Sequence, residues 1–176
     1  MDITVDTIKE LREMTSCGVI ECKKALEESK GDLAKAKVIL QKRGLEIAAK
    51  KGSRAAKEGR IEAYIHTGAK IGVLVEVNCE TDFVAKNEDF CKFTKEVAMH
   101  IAAVSPKYLN REEVPEEILK EQKDQDAFVK EQCLMEQPFV KDPQKTIKDL
   151  MTALIASIGE NIFISRFLRY KVNEVE

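Results

Sequence analysis

The sequence predicts an α+β protein: a three-helix bundle first, then a three-stranded antiparallel sheet with helices packed on one side. Three observations carry this. Up to residue 44, apolar residues recur at three- and four-residue spacing between glycines. From Ile61 to Val77 the period changes to two, across a Gly-containing turn. After a long helical stretch, period two returns from Ile162 to Val172. The expected organisation is a helical module at 1–44, a basic linker at 45–59 and an α+β core at 60–176.

Thr4 can cap the first helix, whose apolar face would be Val5, Ile8, Leu11 and Met14 or Thr15. The run Thr15-Ser16-Cys17-Gly18 breaks it. A second helix over 19–30 turns Val19, Cys22, Ala25, Leu26 and Ser29 to one side. Gly31 fits a left-handed C-terminal position, and Asp32 caps a third helix carrying Leu33, Ala36, Ile39 and Leu40. Gly44 is expected to close that helix. A bundle this small is marginal alone, which favours binding over catalysis.

From Leu45 to Arg60 the chain is small and basic, a composition suited to a linker. A nucleic-acid patch would need interleaved aromatics, which this stretch lacks. Ile61, Ala63 and Ile65 alternate with Glu62, Tyr64 and His66, the turn Thr67-Gly68-Ala69-Lys70 follows, and 71–77 completes a hairpin. The second strand is apolar almost throughout, so it should be central. A helix over 87–104 carries Phe90, Phe93, Val97, Ile101 and Val104 on one face, and Ser105-Pro106 stops it. Pro115 fits the first position of an exposed, projecting helix or helical pair whose apolar residues are Ile118, Leu119, Phe128 and Val129. Pro143 is expected to start an amphipathic helix with Ile147, Leu150, Met151, Leu154 and Ile158 on one face, ended by Gly159. In the last strand Ile162, Ile164, Leu168, Tyr170 and Val172 should share one face, and Phe163 and Phe167 the other. A second sheet face that is also apolar needs another chain to cover it.

Between the second strand and the 87–104 helix lies Asn78-Cys79-Glu80-Thr81-Asp82-Phe83-Val84-Ala85-Lys86-Asn87. Asn87 is a good N-cap, and Glu88 and Asp89 suit the positive end of a helix dipole. An acid beside an aromatic on a turn between two rigid elements suits a contact placed into a partner. Equally, Phe83 could fold back into its own core with Asp82 solvated. The residues alone leave both readings open.

Composition removes several function classes. A formal charge of -2 is not the strongly basic footprint of a dedicated nucleic-acid binder. No apolar run reaches the length of a membrane span, and no secretory leader pattern opens the chain, so a cytoplasmic location is expected. Five scattered cysteines, Cys17, Cys22, Cys79, Cys91 and Cys133, with only His66 and His100 beside them, match no zinc pattern. Reduced thiols and no cofactor are expected. A thiol enzyme built on Cys79 or Cys91 has no evident base or resolving partner in the sequence.

The stretch Thr81-Asp82-Phe83-Val84-Ala85-Lys86-Asn87, preceded by Val75-Glu76-Val77-Asn78-Cys79, closely resembles the signature of the translation elongation factor Ts family. Leu11-Arg12-Glu13-Met14-Thr15 with Cys22-Lys23-Lys24-Ala25-Leu26 is a second match. Gln137-Pro138-Phe139-Val140, Gly159-Glu160-Asn161-Ile162 and Arg166-Phe167 form a third, and all follow the family's order. The resemblance implies a guanine nucleotide exchange factor for elongation factor Tu, not an enzyme with covalent chemistry. It implies that Thr81, Asp82, Phe83 and Val84 displace the partner's magnesium, with Phe83 wedged between helices of Tu. It implies a ubiquitin-associated-like N-terminal module that docks through Val19, Ile20, Lys23 and Lys24, and a hairpin His66 that touches another domain of Tu. Long members of the family carry two related half-cores, whereas this chain has one. Its hairpin combines features of both, His66 to Val75 resembling one and Asn78 to Asn87 the other. Short members act as homodimers, which is the expectation here. The competing reading is a helical adaptor that binds through residues 1–44 and exchanges nothing.

Overall fold

The computed structural model describes residues 3–15 and 17–174. Ser16, part of the expected break between the first two helices, lies outside the described residues. Packing divides the chain into one unit formed by Met1–Ala55 with Thr152–Asn161, and a second formed by Ala56–Met151 with Ile162–Glu176.

In the first unit, α1 (Val5–Thr15), α2 (Val19–Glu28) and α3 (Leu33–Lys51) form the bundle. Thr4 and Thr7 cap α1 reciprocally, each hydroxyl accepting the other's backbone N–H at 3.2 and 3.1 Å. Asp32 caps α3 by accepting from the Lys35 N–H at 3.0 Å. That bond is the main reason its carboxyl sits below the ordinary value. Leu11, Cys22, Ala25, Leu26, Ala36 and Leu40 form the buried centre, with Ile3, Ile8, Cys17, Leu33 and Ile39 packed around it. Val5, expected inside, is exposed, as are Met14, whose place is taken by the half-buried Thr15, and Val19, which periodicity turns inward and the resemblance outward. Each lies at the end of a short helix, where the bundle partners no longer reach.

Gly44 does not end α3. The helix runs on to Lys51, through much of the stretch expected to be a linker. Gly44 is buried, and a Cβ there would lie 3.5 Å from Thr152 Cγ2 and 3.7 Å from Ala156 Cβ. The glycine therefore marks a close helix approach, made to the second half of α8 (Ile147–Ile158). In the same unit the Asn161 amide donates to the Arg54 carbonyl at 2.7 Å, which fastens the chain just beyond α3.

In the second unit, β1 (Glu58–Ile65), β2 (Ile71–Cys79) and β5 (Phe163–Lys171) form an antiparallel sheet in the order β1-β2-β5, with β2 central as its composition predicts. Val73, Val75 and Val77 of β2 are buried, and α5 (Glu88–Val104) packs on β1 and β2. Phe90, Phe93, Val97 and Ile101 are buried along α5, whereas Val104 at its last turn is exposed. Ser105 caps α5 in the left-handed conformation, φ 56°.

The covered side of β1 is polar. Arg60 Nε donates to Glu62 Oε2 at 2.8 Å, Arg60 Nη1 lies 3.1 Å from Cys91 Sγ, and Thr94 Oγ1 donates to Glu62 Oε2 at 3.4 Å. The apolar set Ile61 and Ile65 faces outward, 64% and 66% exposed. Gly59, within the stretch expected to be a linker, lies in β1, where an added Cβ would run into the Val77 carbonyl oxygen and the Asn78 Cα.

β5 departs from simple alternation. Val77 pairs with Ile164 and Glu76 with Arg166, so the register shifts and Ser165 is the extra residue of a bulge. The bulge exchanges the two faces. Ile164 and Phe167 both turn to the covered side, while Phe163, Leu168 and Tyr170 are exposed. Leu168 and Tyr170 thus do not share a face with Ile164, contrary to the period-two expectation.

Between α5 and α8 the expected helical pair is present and largely exposed, but it gathers a small core of its own. Pro115 is the cap of α6 (Glu116–Glu121), not its first residue, and α7 (Gln125–Gln132) follows. Val114, Val129 and Cys133 are buried here, with Tyr108, Ile118, Leu119 and Phe128 around them. Pro143 lies in β4 (Asp142–Thr146), which pairs with β3 (Pro138–Phe139). The helix starts later, at Ile147. Thr146 makes the N-terminal box, its N–H donating to Asp149 Oδ2 at 2.9 Å and its hydroxyl accepting the Asp149 N–H at 3.1 Å. Gly159, φ +82°, follows the helix as expected.

His100, fully buried on α5, ties this segment to the sheet-covering helix. Its Nε2–H donates to Gln137 Oε1 at 3.0 Å, and its Nδ1 accepts the Val140 N–H at 3.4 Å. The Gln137 amide is oriented in turn by donating to the Glu131 carbonyl. The Val140 contact needs the neutral ring, because Nδ1 can accept only when unprotonated, whereas the donation to Gln137 survives protonation. Burial holds its pKa below the ordinary 6.5, and the Gln137 bond pulls the other way. The native state therefore refuses a proton that the unfolded chain accepts. Stability is complete above pH 6.5, declines as pH drops below that value, and levels off once the folded imidazole itself titrates. The slope is at most about 1.4 kcal/mol per pH unit. Urea unfolding between pH 7.5 and 5 is expected to show this decline in the wild type and a flatter profile in His100→Gln.

Candidate functional site

The strand β2 ends at Cys79, and α5 starts at Glu88. The eight residues between them contain one further turn of helix, α4 (Asp82–Ala85). Thr81 is extended (φ -128°, ψ 153°) and caps α4, its hydroxyl accepting from the Val84 N–H at 3.4 Å. Below it, Cys79 Sγ donates to the Thr81 carbonyl at 3.1 Å. At the other end Asn87 caps α5, accepting from Asp89 N–H at 2.9 Å and Phe90 N–H at 3.3 Å. The turn is thus anchored to β2 through the Cys79–Thr81 contact and to α5 through the Asn87 cap.

Those caps decide which way each side chain points. α4 packs against β1, β2 and the start of α5. Val84 and Ala85 take the half-buried side of the turn, so Asp82, Phe83 and Lys86 are left outside. Phe83 is 81% exposed, the most solvent-accessible large apolar side chain among the described residues. The alternative open in the sequence, a ring folded into its own core, does not occur, whereas Phe90, seven residues on, is fully buried. Asp82 Oδ2 receives the Lys86 ammonium at 2.8 Å across one helical turn. That bond is the main cause holding the Asp82 carboxyl below the ordinary carboxylate value, so the group is ionised at neutral pH. Of the four residues singled out in this stretch, Asp82 and Phe83 are presented, and Thr81 and Val84 build the turn that presents them.

His66 lies at the far end of the same hairpin. It is exposed, its N–H donates to the Ile71 carbonyl at 2.9 Å, and its ring stands beside Tyr64, whose hydroxyl lies 3.1 Å from His66 Nδ1. The nine-residue β2 separates it from α4. At ~3.4 Å per residue that is about 27 Å, so His66 and Phe83 cannot address one small molecule but can touch two parts of one large partner.

The first unit carries its own exposed apolar pair. Gly18 (ψ 150°) caps α2, and the buried side is taken by Cys22, Ala25 and Leu26. Val19 and Ile20 at the start of α2 are consequently 51% and 70% exposed, with Lys23 and Lys24 alongside. Lys24 pairs with Glu21 at 3.3 Å and Lys23 approaches Glu27 at 3.9 Å. Pairs this exposed contribute little to stability, which leaves both ammonium groups open to exchange partners.

The sheet side away from α5 is also apolar, the condition under which a covering chain was expected, but Phe167 is not among the residues that make it so. Ile61, Ile65, Leu74, Leu168 and Tyr170 all lie exposed on the uncovered side of the sheet. The cross-strand ion pair Glu76–Arg166, 2.8 Å, stands beside them. The bulge at Ser165 brings Leu168 and Tyr170 to that side, and no spacing rule reveals a bulge.

No group of histidine, cysteine or acidic residues among the described residues is arranged to hold a metal ion. No described helix is long and apolar enough to cross a membrane. The arrangement offers presented apolar and charged groups, which is the chemistry of docking.

Phe83→Ala is expected to leave stability within about 0.5 kcal/mol of wild type, since the ring touches little of its own chain. Phe90→Ala should cost about 3–5 kcal/mol. Urea unfolding of the two variants checks both numbers.

Comparison with known proteins identifies a family. The family model described as Elongation factor TS matches residues 6–126 and 124–174. Elongation factor Ts of Carboxydothermus hydrogenoformans is 48% identical over 195 aligned positions, covering 98% of this chain and 90% of that protein. That of Caldanaerobacter subterraneus subsp. tengcongensis is also 48% identical, covering 98% of each. That of Geobacter sulfurreducens is 48% identical over 197 positions, covering 99% of this chain and 91% of its own length. On a match that runs nearly end to end, the chain belongs to the elongation factor Ts family.

Proposed function

We propose that this chain is a guanine nucleotide exchange factor for elongation factor Tu, acting in translation elongation. It binds Tu–GDP, displaces the partner's magnesium, promotes GDP release and stays bound until GTP enters. The observation that carries the proposal is Phe83, 81% exposed on a capped turn between a central strand and a buried helix.

GTPases hold GDP through backbone amides and a magnesium ion that bridges phosphate and protein. A factor that prefers the state with those contacts broken weakens nucleotide binding, and linkage requires GDP to weaken the factor's binding equally. Each tenfold loss of nucleotide affinity takes about 1.4 kcal/mol of differential binding. Burying one phenyl ring is worth about 1.5–3 kcal/mol. Phe83 alone therefore accounts for roughly ten- to a hundred-fold. In this reading the ring wedges between helices of Tu, and the ionised Asp82 disturbs the groups that hold the magnesium. Thr81 and Val84 fix the turn. The remaining differential binding comes from other surfaces: Val19, Ile20, Lys23 and Lys24 of a docking module at 1–44, and His66 on the core at 60–176. No nucleic acid or membrane takes part, and the location is the cytoplasm.

Release of fluorescently labelled GDP from Tu tests this. The wild type should accelerate release, and Phe83→Ala should lose roughly ten-fold or more of that acceleration while remaining folded. Binding to Tu by the isolated 1–44 segment as tight as that of the whole chain, with no acceleration of GDP release by either, would favour the adaptor reading instead.

The open sheet side, with Ile61, Ile65, Leu74, Leu168 and Tyr170 exposed, supports a homodimer formed by a second copy seated on the same face. Sedimentation should give a dimer for the wild type and a monomer for Leu74→Glu. A monomeric wild type at tens of micromolar would reject the pairing.

A further inference from the structure

The turn that starts α2 holds a pair of thiols in a position normally filled by two hydrocarbons. Gly18 is the cap of α2, so Cys17 is the residue before the cap and Cys22 is the fourth residue inside the helix. Side chains at those two positions meet across the helix entrance, as in a hydrophobic staple. Here they do meet. Cys22 is fully buried in the bundle's centre, and Cys17 packs against that centre from its half-exposed rim. Cys22 Sγ lies 3.7 Å from the Cys17 carbonyl oxygen. The two sulfurs also converge on Thr15: Cys22 Sγ is 3.9 Å from its hydroxyl, and Cys17 Sγ is 3.7 Å from its carbonyl.

We propose that Cys17 and Cys22 form a redox-responsive dithiol, closed to a disulfide by a low-molecular-weight disulfide such as oxidised glutathione. Cys17, the more accessible, reacts first. Its thiolate attacks one glutathione sulfur, the glutathione S–S bond breaks, and one glutathione thiolate leaves with the electron pair. The Cys22 thiolate then attacks Cys17 Sγ in the mixed disulfide, forming the Cys17–Cys22 bond and releasing the second glutathione thiolate. The two protons lost by the cysteines end on the two glutathione thiols. One disulfide is reduced and one is formed.

The surroundings set the rate. Burial raises the pKa of both thiols, Glu21 adds to this for each, and contact with Thr15 opposes it. Arg12 also opposes it at Cys22. Thiolate is therefore scarce at neutral pH, and closure is slow there and faster in mild alkali. A reducing compartment keeps such a pair open, and disulfides that do form in one are transient and regulatory. Closure replaces a packing contact by a bond at the root of Val19 and Ile20. Any effect on Tu rests on the docking role proposed for that pair, whereas the bond itself does not.

The test uses the full-length protein equilibrated at pH 8 in glutathione buffers of increasing oxidised fraction, then alkylated, unfolded and mapped by mass spectrometry. Cys17 and Cys22 are expected to lose alkylation together, at one midpoint, with a two-hydrogen loss on the peptide pair that contains them. In Cys17→Ser, Cys22 should stay reduced throughout. Cys17→Ser alters the half-exposed partner and leaves the buried one in place, so it decides the matter even where Cys22→Ala fails to fold. A glutathione adduct persisting on Cys17, separate midpoints for the two thiols, or a bond from either to Cys79, Cys91 or Cys133 would overturn the proposal.

Discussion

The packing of α5 on the sheet is the constraint from which the rest of the second unit follows. Phe90, Phe93, Val97 and Ile101 on the helix and Val73, Val75 and Val77 on β2 are all buried, so neither element can shift without exposing several large side chains. The chain between them then has two fixed ends. Thr81 and Asn87 satisfy the backbone at those ends, and the residues that fit the remaining inward space are small or branched, Val84 and Ala85. A phenyl ring does not fit there as well. Phe83 lies on the outward side of a turn whose inward side is given to Val84 and Ala85.

Holding an apolar ring in water is unfavourable by the same free energy that its later burial releases. A protein keeps such a group out only where the scaffold is rigid enough to forbid collapse. In this chain the rigidity is local and identifiable: two caps, one ion pair between Asp82 and Lys86, and a buried helix start at Phe90. The same logic applies at the start of α2, where Cys22, Ala25 and Leu26 occupy the inside and Val19 and Ile20 remain out. Both surfaces are made by filling the interior with other residues.

Much of this was readable beforehand, and the failures have physical causes. Helix and strand order followed from period, and β2 was placed centrally because it is apolar on both sides. The caps at Thr4, Asp32 and Asn87 were legible because short polar side chains before an apolar run have few other uses. Gly44 misled because glycine serves both as a helix stop and as a small contact under a second helix, here against Thr152 and Ala156. Pro143 misled in the same way, since a proline suits an edge strand as well as a helix start. The bulge at Ser165 could not be seen, because one extra residue leaves composition unchanged and inverts every later side chain. In the candidate site the residues Asp82 and Phe83 stood out in the sequence, but their outward direction did not. That direction depends on what Val84, Ala85 and Phe90 fill.

The chain contains no tryptophan, so Phe83→Trp would install a single reporter at the decisive position. Iodide should quench its fluorescence fully in the free protein, and adding Tu–GDP should shift the emission to the blue and abolish that quenching. A blue-shifted, protected indole in the free protein, or quenching unchanged by a saturating amount of Tu, would contradict the account.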